Sequence, residues 1–499
     1  MRKGSGRAYR GRVILTRSTR WAAVSLFLAC ALAITGTAGV AGARDTAEMT
    51  PALERELADG GRAAFFVMLR GRAELRAAST ARRHSERTAA GHRALTRAAE
   101  RDQRALRRML AAEGVRYEAF WIVNTLLVHD ADRALAERIA ARPEVERLVE
   151  RRSARRPDTV PTGDVGTTDA GPEWNVAHIG APRVWSELGT RGEGIVVAGI
   201  DTGVRHDHPA LVGQYRGRRA DGSFVHDYNW YDPQNYCERT GRPAQIPCDL
   251  NGHGSHTLGT AVGDDGAGNQ IGVAPGAKWI AVAAGGLFLL QEDLLRAGQW
   301  VLAPTDRTGA APRPDLAPHV VNNSWGWENW PDDFYTQMID NWIAVGIFPV
   351  FGSGNSGPNC GTVIPPGQGP GAYSVGAYDG TGQIWSQSSR GPSPLGGETK
   401  PNIAAPGVNI RSVNDAGGYE SLNGTSMATP HVTGTVALMW SKAPQVAGDI
   451  ARTKAILDLT ATDVADTSCG GAPSDNNVYG EGRLNARNAV ELASLVPAR

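Results

Sequence analysis

The apolar positions along this chain change their period several times. From Trp21 to about Val40 they run together, diluted by Gly36 and Gly39, after a basic stretch that ends at Arg20. Ala63 to Leu69 is an apolar run of strand length. About Ala81 to Glu113 shows helical spacing, with charges of alternating sign on the remaining face. A strand (Ala119 to His129), a helix (Ala131 to Ala141) and a strand (Val145 to Glu150) follow, which predicts a small α+β module over residues 50–156. Beyond about Ile195, buried apolar runs alternate with helical patterns. That pattern predicts an α/β domain with a mostly parallel central sheet and helices on both faces.

Chemistry-bearing residues stand where these periods change. Asp201 ends the apolar run Ile195-Val196-Val197-Ala198-Gly199-Ile200 and is followed by Thr202-Gly203. His253 lies in Asn251-Gly252-His253-Gly254-Ser255-His256-Thr257-Leu258-Gly259, where a small-residue helix opens. Ser426 lies in Asn423-Gly424-Thr425-Ser426-Met427-Ala428-Thr429-Pro430-His431, between a tight turn and helical spacing through Val432, Val436, Ala437 and Leu438. A serine hydroxyl is a poor nucleophile at its free pKa and needs an adjacent base, itself held by a third group. A helix start offers Ser426 free backbone N–H groups and a dipole that favour a developing anion. Pro430 is expected in the first turn, where its missing N–H costs little.

Each segment alone has a plainer reading. Ser426 is also a good helix cap, and Asp-Thr-Gly a common turn. An aspartic dyad would need a second Asp-Thr-Gly, and the chain has none. His253 and His256 at i, i+3 would need further metal ligands, and none stands at a recognisable spacing. In chain order, Asp201, His253 and Ser426 follow one of the orders in which the hydrolytic triad occurs.

Together the three segments resemble the signatures of the subtilisin-like serine proteases. The resemblance implies that Asp201 orients the base, His253 is the general base and Ser426 the nucleophile, with His256 a second histidine that is not the base. Ile347-Phe348-Pro349-Val350-Phe351-Gly352-Ser353-Gly354-Asn355 is also similar, which implies that Asn355 donates to the oxyanion. Val320-Val321-Asn322-Asn323-Ser324-Trp325-Gly326 resembles an edge strand that pairs with extended substrate. Ser324, Trp325 and Gly326 would then form one cleft wall, and Gly352, Ser353 and Gly354 the other. Small residues in both walls argue for broad preference, and Trp325 would narrow a subsite or pack in the core. The resemblance covers roughly residues 172–492, including Lys400-Pro401-Asn402-Ile403-Ala404-Ala405-Pro406-Gly407 and Tyr479-Gly480-Glu481-Gly482-Arg483-Leu484-Asn485. A narrow processing protease would need acidic walls, and neither wall segment holds Asp or Glu. An inactive peptide-binding relative would be expected to lack a matched catalytic residue, and all four are present.

Composition adds the context. Residues 1–43 read as an export signal with an Ala41-Gly42-Ala43 end, which implies a secreted protein without stable membrane association. Cys30 leaves with it. Cys237, Cys248, Cys360 and Cys469 remain and allow three pairings; Cys237–Cys248 with Cys360–Cys469 is the expected one. Residues 51–156 carry 23 Arg, no Lys and a net charge of +8, against −10 for residues 170–499. Charges alternating in sign along helices indicate a solvated face rather than a nucleic-acid site. The module resembles the family's propeptide, which implies an intramolecular inhibitor that assists folding, steered onto the acidic domain by charge. Residues 157–171 are expected to form an exposed processing linker and residues 172–499 the catalytic domain. The chemistry requires no cofactor. Structural calcium is an expectation from the resemblance alone, with no ligand named.

Overall fold

In the C-terminal domain the strands that read as continuous apolar runs form the centre of a seven-stranded sheet. Its order is Trp230–Tyr231, Lys278–Ala283, Val196–Asp201, Val320–Asn323, Phe348–Gly352, Tyr373–Tyr378 and Ile403–Pro406, with every neighbouring pair parallel. The computed structural model describes residues 46–155, 160–162, 171–243, 245–286, 288–327 and 333–497, so the expected signal segment lies outside it.

Alternation along these strands divides the core into two layers. Val197, Ala281, Val320, Phe348 and Val350 pack with Leu258, Val262, Val432 and Val436. Ala198, Ile200, Ile280, Val321 and Phe351 pack instead with Leu294, Leu295, Trp300, Met338 and Trp342. Helices His253–Val262 and Thr425–Lys442 therefore cover one face, and Gln291–Leu302 and Thr336–Ala344 the other. Two covered faces are what a parallel sheet requires. Among the described residues no helix is long and apolar enough to cross a membrane.

The expected edge strand is not at an edge. Val320–Asn323 lies between Val196–Asp201 and Phe348–Gly352 and is bonded to both. Val320 and Val321 are fully buried, one toward each layer, so this run belongs in the sheet interior. Only the residues after Asn323 leave the ladder.

The N-terminal module is a five-stranded sheet in the order Glu48–Met49, Val145–Glu150, Ala63–Leu69, Thr125–Ala131 and Tyr117–Phe120. It carries helices His84–Ala112 and Arg133–Ala140. The single strand expected over Ala119–His129 is two, folded back at Trp121–Asn124. Asn124 takes a left-handed φ of 47° there, and its Nδ2 donates to the Gly71 carbonyl at 3.0 Å. An Asn in that conformation is a turn signal buried in an apolar run.

The module docks mainly through apolar surface. Phe66, Phe120, Ile122 and Val123 belong to the same cluster as Leu294, Trp300 and Trp342, and Phe66 meets Phe334 at 4.9 Å between ring centroids. Arg147–Asp333 at 2.6 Å and Arg296–Glu118 at 2.7 Å flank that patch. The end of the module and the described parts of the expected linker are strand-paired. Ser153–Arg155, just before the linker, runs antiparallel to Phe288–Leu290; within it Val160–Pro161 pairs with Leu422–Asn423, and at its end Gly171–Pro172 pairs with Asn269–Gln270.

Candidate active site

Asp201 is the last residue of the strand Val196–Asp201, at the carboxyl end of the sheet, where open α/β sheets place their sites. Its Oδ1 accepts from His253 Nδ1 at 2.6 Å and from the Thr202 backbone N–H at 2.8 Å. The two side chains are 3% and 2% exposed. With Nδ1 donating, Nε2 is the basic nitrogen of His253.

Helix His253–Val262 starts tight against the Asp201 loop, and Gly254 is why it can. A Cβ there would stand 2.0 Å from the Gly203 carbonyl oxygen and 3.1 Å from Asp201 Cβ. Asp249 joins loop and helix. Its carboxylate accepts from Thr202 Oγ1 (2.6 Å), Asn251 N (3.2 Å), Gly252 N (3.0 Å), Ser255 N (2.7 Å) and Ser255 Oγ (2.6 Å). It caps the helix and ties it to the residue after Asp201. His256 shares a 3.0 Å hydrogen bond with the Ile410 carbonyl. Burial, then the neighbouring His253, holds its pKa down at about 3, which suits a neutral structural ring.

Ser426 is the second residue of helix Thr425–Lys442, in the first turn, where backbone N–H groups lack intrahelical acceptors. Gly424 precedes the helix at φ 155°, ψ 160°, a region left to glycine, and a Cβ on it would meet Asn355 Nδ2 at 3.4 Å. The Asn355 Oδ1 accepts from Thr425 N (3.0 Å) and Thr425 Oγ1 (2.9 Å), which fixes the amide beside the serine turn with its NH₂ as the donor edge. Pro430 stands in the second turn of the helix, not the first, so the Ser426 carbonyl has no N–H at i+4. The Ser324 hydroxyl supplies the replacement donor at 2.9 Å.

One cavity is lined by Ser324, Trp325, Gly352, Gly354, Asn355, Ile364, Thr425 and Ser426. Two expected wall residues fall outside this lining. Gly326 lies under the Pro365 carbonyl, 2.6 Å from where its Cβ would be, and buried Ser353 turns its hydroxyl toward Ser389. Trp325 lies between the cavity and the core. It borders the cavity, yet it is 3% exposed and packs on Trp327, Tyr335 and Phe351. Sequence reasoning passed over the Phe288–Leu290 edge, which carries an antiparallel chain segment; its only local signal is a short apolar run before Gln291-Glu292-Asp293.

Cys237 and Cys248 are disulfide-bonded, as are Cys360 and Cys469, with Cα–Cα separations of 5.9 and 5.4 Å. Among the described residues no group of three or more His, Cys, Asp or Glu side chains is arranged to hold a metal ion. Asp265, in the acidic turn Asp264-Asp265-Gly266, accepts from Ala267 N and the Asn269 side chain.

Comparison with known proteins agrees with this geometry. The profile of the subtilase family matches residues 192–482. The chain is 41% identical over 397 residues to bacillopeptidase F of Bacillus subtilis (strain 168), covering 75% of this chain and 26% of that protein. It is 31% identical over 323 residues to subtilisin Savinase of Lederbergia lenta, covering 64% and 98%. It is 28% identical over 332 residues to serine protease AprX of Bacillus subtilis (strain 168), covering 60% and 66%. The chain thus spans about a quarter of bacillopeptidase F and nearly all of Savinase. It belongs to the subtilase family of serine endopeptidases.

Proposed function

We propose that this protein is an exported zymogen whose C-terminal domain hydrolyses extended polypeptides through an acyl-enzyme, with broad preference at the scissile residue. The observation that carries the reading is the buried 2.6 Å Asp201–His253 pair, together with Ser426, in the first turn of its helix, and Asn355, after strand Phe348–Gly352, lining one cavity. In the proposed reaction Ser426 Oγ attacks the scissile carbonyl carbon while His253 Nε2 takes the hydroxyl proton. The carbonyl oxygen becomes an anion that accepts from Asn355 Nδ2–H and the Ser426 backbone N–H. Collapse breaks the C–N bond, and His253 returns the proton to the departing amine. Water then repeats the sequence on the ester, releasing the acid and restoring Ser426. Asp201 stays ionised throughout and holds the imidazole in the tautomer that exposes Nε2.

In the same reading residues 46–155 form an intramolecular inhibitor. Support comes from its apolar docking patch and from Ser153–Arg155, which lies along Phe288–Leu290 as a substrate strand would. Labelling with a fluorophosphonate probe tests the chemistry. Covalent modification mapped to Ser426 is the expected result, and an unlabelled Ser426 in folded, processed protein would overturn the assignment.

A further inference from the structure

Helix Gln291–Leu302 opens with Gln291, Glu292 and Asp293, all buried. Asp293 is satisfied by its own domain: it accepts from Tyr236 Oη at 2.5 Å and Gln234 Nε2 at 3.2 Å, and it pairs with Arg296. Glu292 is not. Among the described residues its only side-chain partner is Arg151 of the N-terminal module, whose Nε (2.9 Å) and Nη2 both converge on Oε1. Its Oε2 is buried without a partner, and the side chain is 4% exposed. The helix dipole favours an anion at this end, but a buried carboxylate still needs a cation or several donors.

The chain that delivers Arg151 also takes a substrate-like path. The Arg152 backbone N–H donates to Gln291 Oε1 at 2.7 Å, and Ser153–Arg155 then adds antiparallel to Phe288–Leu290. The side chain on Glu292 therefore belongs to the residue two positions upstream of a strand paired with that edge. When the module leaves, Arg151 goes with it, while Asp293 keeps Arg296, Tyr236 and Gln234.

We infer that Glu292 is a cation-binding subsite of the substrate cleft: a polypeptide paired with Phe288–Leu290 places one arginine or lysine on Glu292, where Arg151 lies. This rests on the proposed reading that the edge receives substrate, and it deepens that reading by naming the substrate class, polypeptides with a basic residue upstream of the cut. The planar guanidinium already puts two N–H groups on Oε1, so arginine is favoured over lysine.

The test is a peptide scan on the processed enzyme. A single arginine is moved through the upstream positions of an otherwise uncharged quenched-fluorescent peptide, and kcat/KM is measured at each. One position should stand out by about tenfold, the size of a charge-assisted hydrogen bond gained in a partly dry site. Lysine there should help less, and glutamate should fall below the uncharged peptide. In Glu292→Gln the ratio of the arginine peptide to the uncharged peptide should collapse toward one. A flat wild-type scan would overturn the proposal, as would a preference that survives Glu292→Gln; a flat scan is the result if Arg296 swings onto Glu292 instead. Because the wild-type scan needs no variant, misfolding cannot blur it. Failure of the endopeptidase reading looks different, since then no peptide is cut at all.

Discussion

Ser324 and Ser426 exchange two hydrogen bonds across the cleft wall. Ser426 Oγ donates to the Ser324 carbonyl at 3.1 Å, and Ser324 Oγ donates to the Ser426 carbonyl at 2.9 Å. The second bond answers a specific deficit, because Pro430 cannot donate to the Ser426 carbonyl. Ser324 Oγ is itself held by Asn322 Nδ2 at 3.0 Å, and Asn322 Oδ1 by Thr433 Oγ1 at 3.0 Å, so the Ser426 turn is tied to strand Val320–Asn323 and to its own helix.

Ser324→Ala removes the replacement donor and leaves a buried carbonyl unpaired. We expect a loss of about 1–3 kcal/mol in stability. Adding Pro430→Ala should restore part of it, because residue 430 then supplies the helical N–H. Urea unfolding of the two single variants and the double variant measures the coupling; strict additivity would refute the compensation.

Asp249 predicts a kinetic defect rather than a binding one. Replacing it with alanine strands five donors between the Asp201 loop and the His253 helix. A misplaced base can cost roughly 10²-fold in turnover. Steady-state kinetics of Asp249→Ala should show kcat falling by at least about tenfold with KM little changed. Asp249→Asn, which keeps one acceptor, should fall between that variant and wild type.

The two disulfides should separate stability from turnover. Cys360–Cys469 closes a sequence separation of 109 residues, and its removal should cost up to about 4–5 kcal/mol on a chain-entropy account. Cys237–Cys248 closes only 11 residues but ends beside Asp249, so its removal should lower kcat more than its stability loss explains. Thermal melts and kinetics of the paired Cys→Ala variants check both statements.

Docking of the N-terminal module should weaken in acid. His84 on the module stacks on His319 of the C-terminal domain at 4.4 Å between ring centroids. His84 Nε2–H donates to the Ala317 carbonyl at 3.2 Å while its Nδ1 is buried without a partner, and His319 Nδ1 accepts from Val196 N at 3.1 Å, so both rings are set as neutral. Burial, first of all, lowers His84 to about 4 and His319 to about 3; the charged groups facing them are Arg87, Arg216 and each other. Released rings would return to about 6.5. The undocked state then binds more protons as pH drops, so docking is intact above about 6.5 and weakens progressively toward 4, by roughly tenfold or more per ring at pH 5. The uncut Ser426→Ala chain should lose resistance of its module to trypsin over that range, and His84→Phe should flatten the dependence. An unchanged pH profile in His84→Phe would count against these rings as its origin.

Much of the fold and of the candidate site is legible in the sequence because it is written locally. Ala63–Leu69 is a strand with the bounds its apolar run indicates, and Asp201, His253, Asn355 and Ser426 sit where one period gives way to another. What escapes is settled by partners far away in the chain. Phe288–Leu290 shows its purpose only once Ser153–Arg155 lies on it, and Val320–Asn323 reads as an edge until strands on both sides claim it. Pro430 resembles a first-turn proline until Ser324, 102 residues from Ser426, is seen to offset its missing N–H. Glu292 looks like an ordinary acidic helix start, and its need for a cation depends on burial, which composition does not reveal.

The central claim is that Ser426, driven by His253 and Asp201, performs the chemistry, including release of the N-terminal module. Purified Ser426→Ala protein compared with wild type on casein and by intact mass tests this most directly. The account predicts no casein hydrolysis and a chain that keeps its N-terminal module, beside an active, shortened wild type. A Ser426→Ala protein that is cut and active like wild type would contradict it.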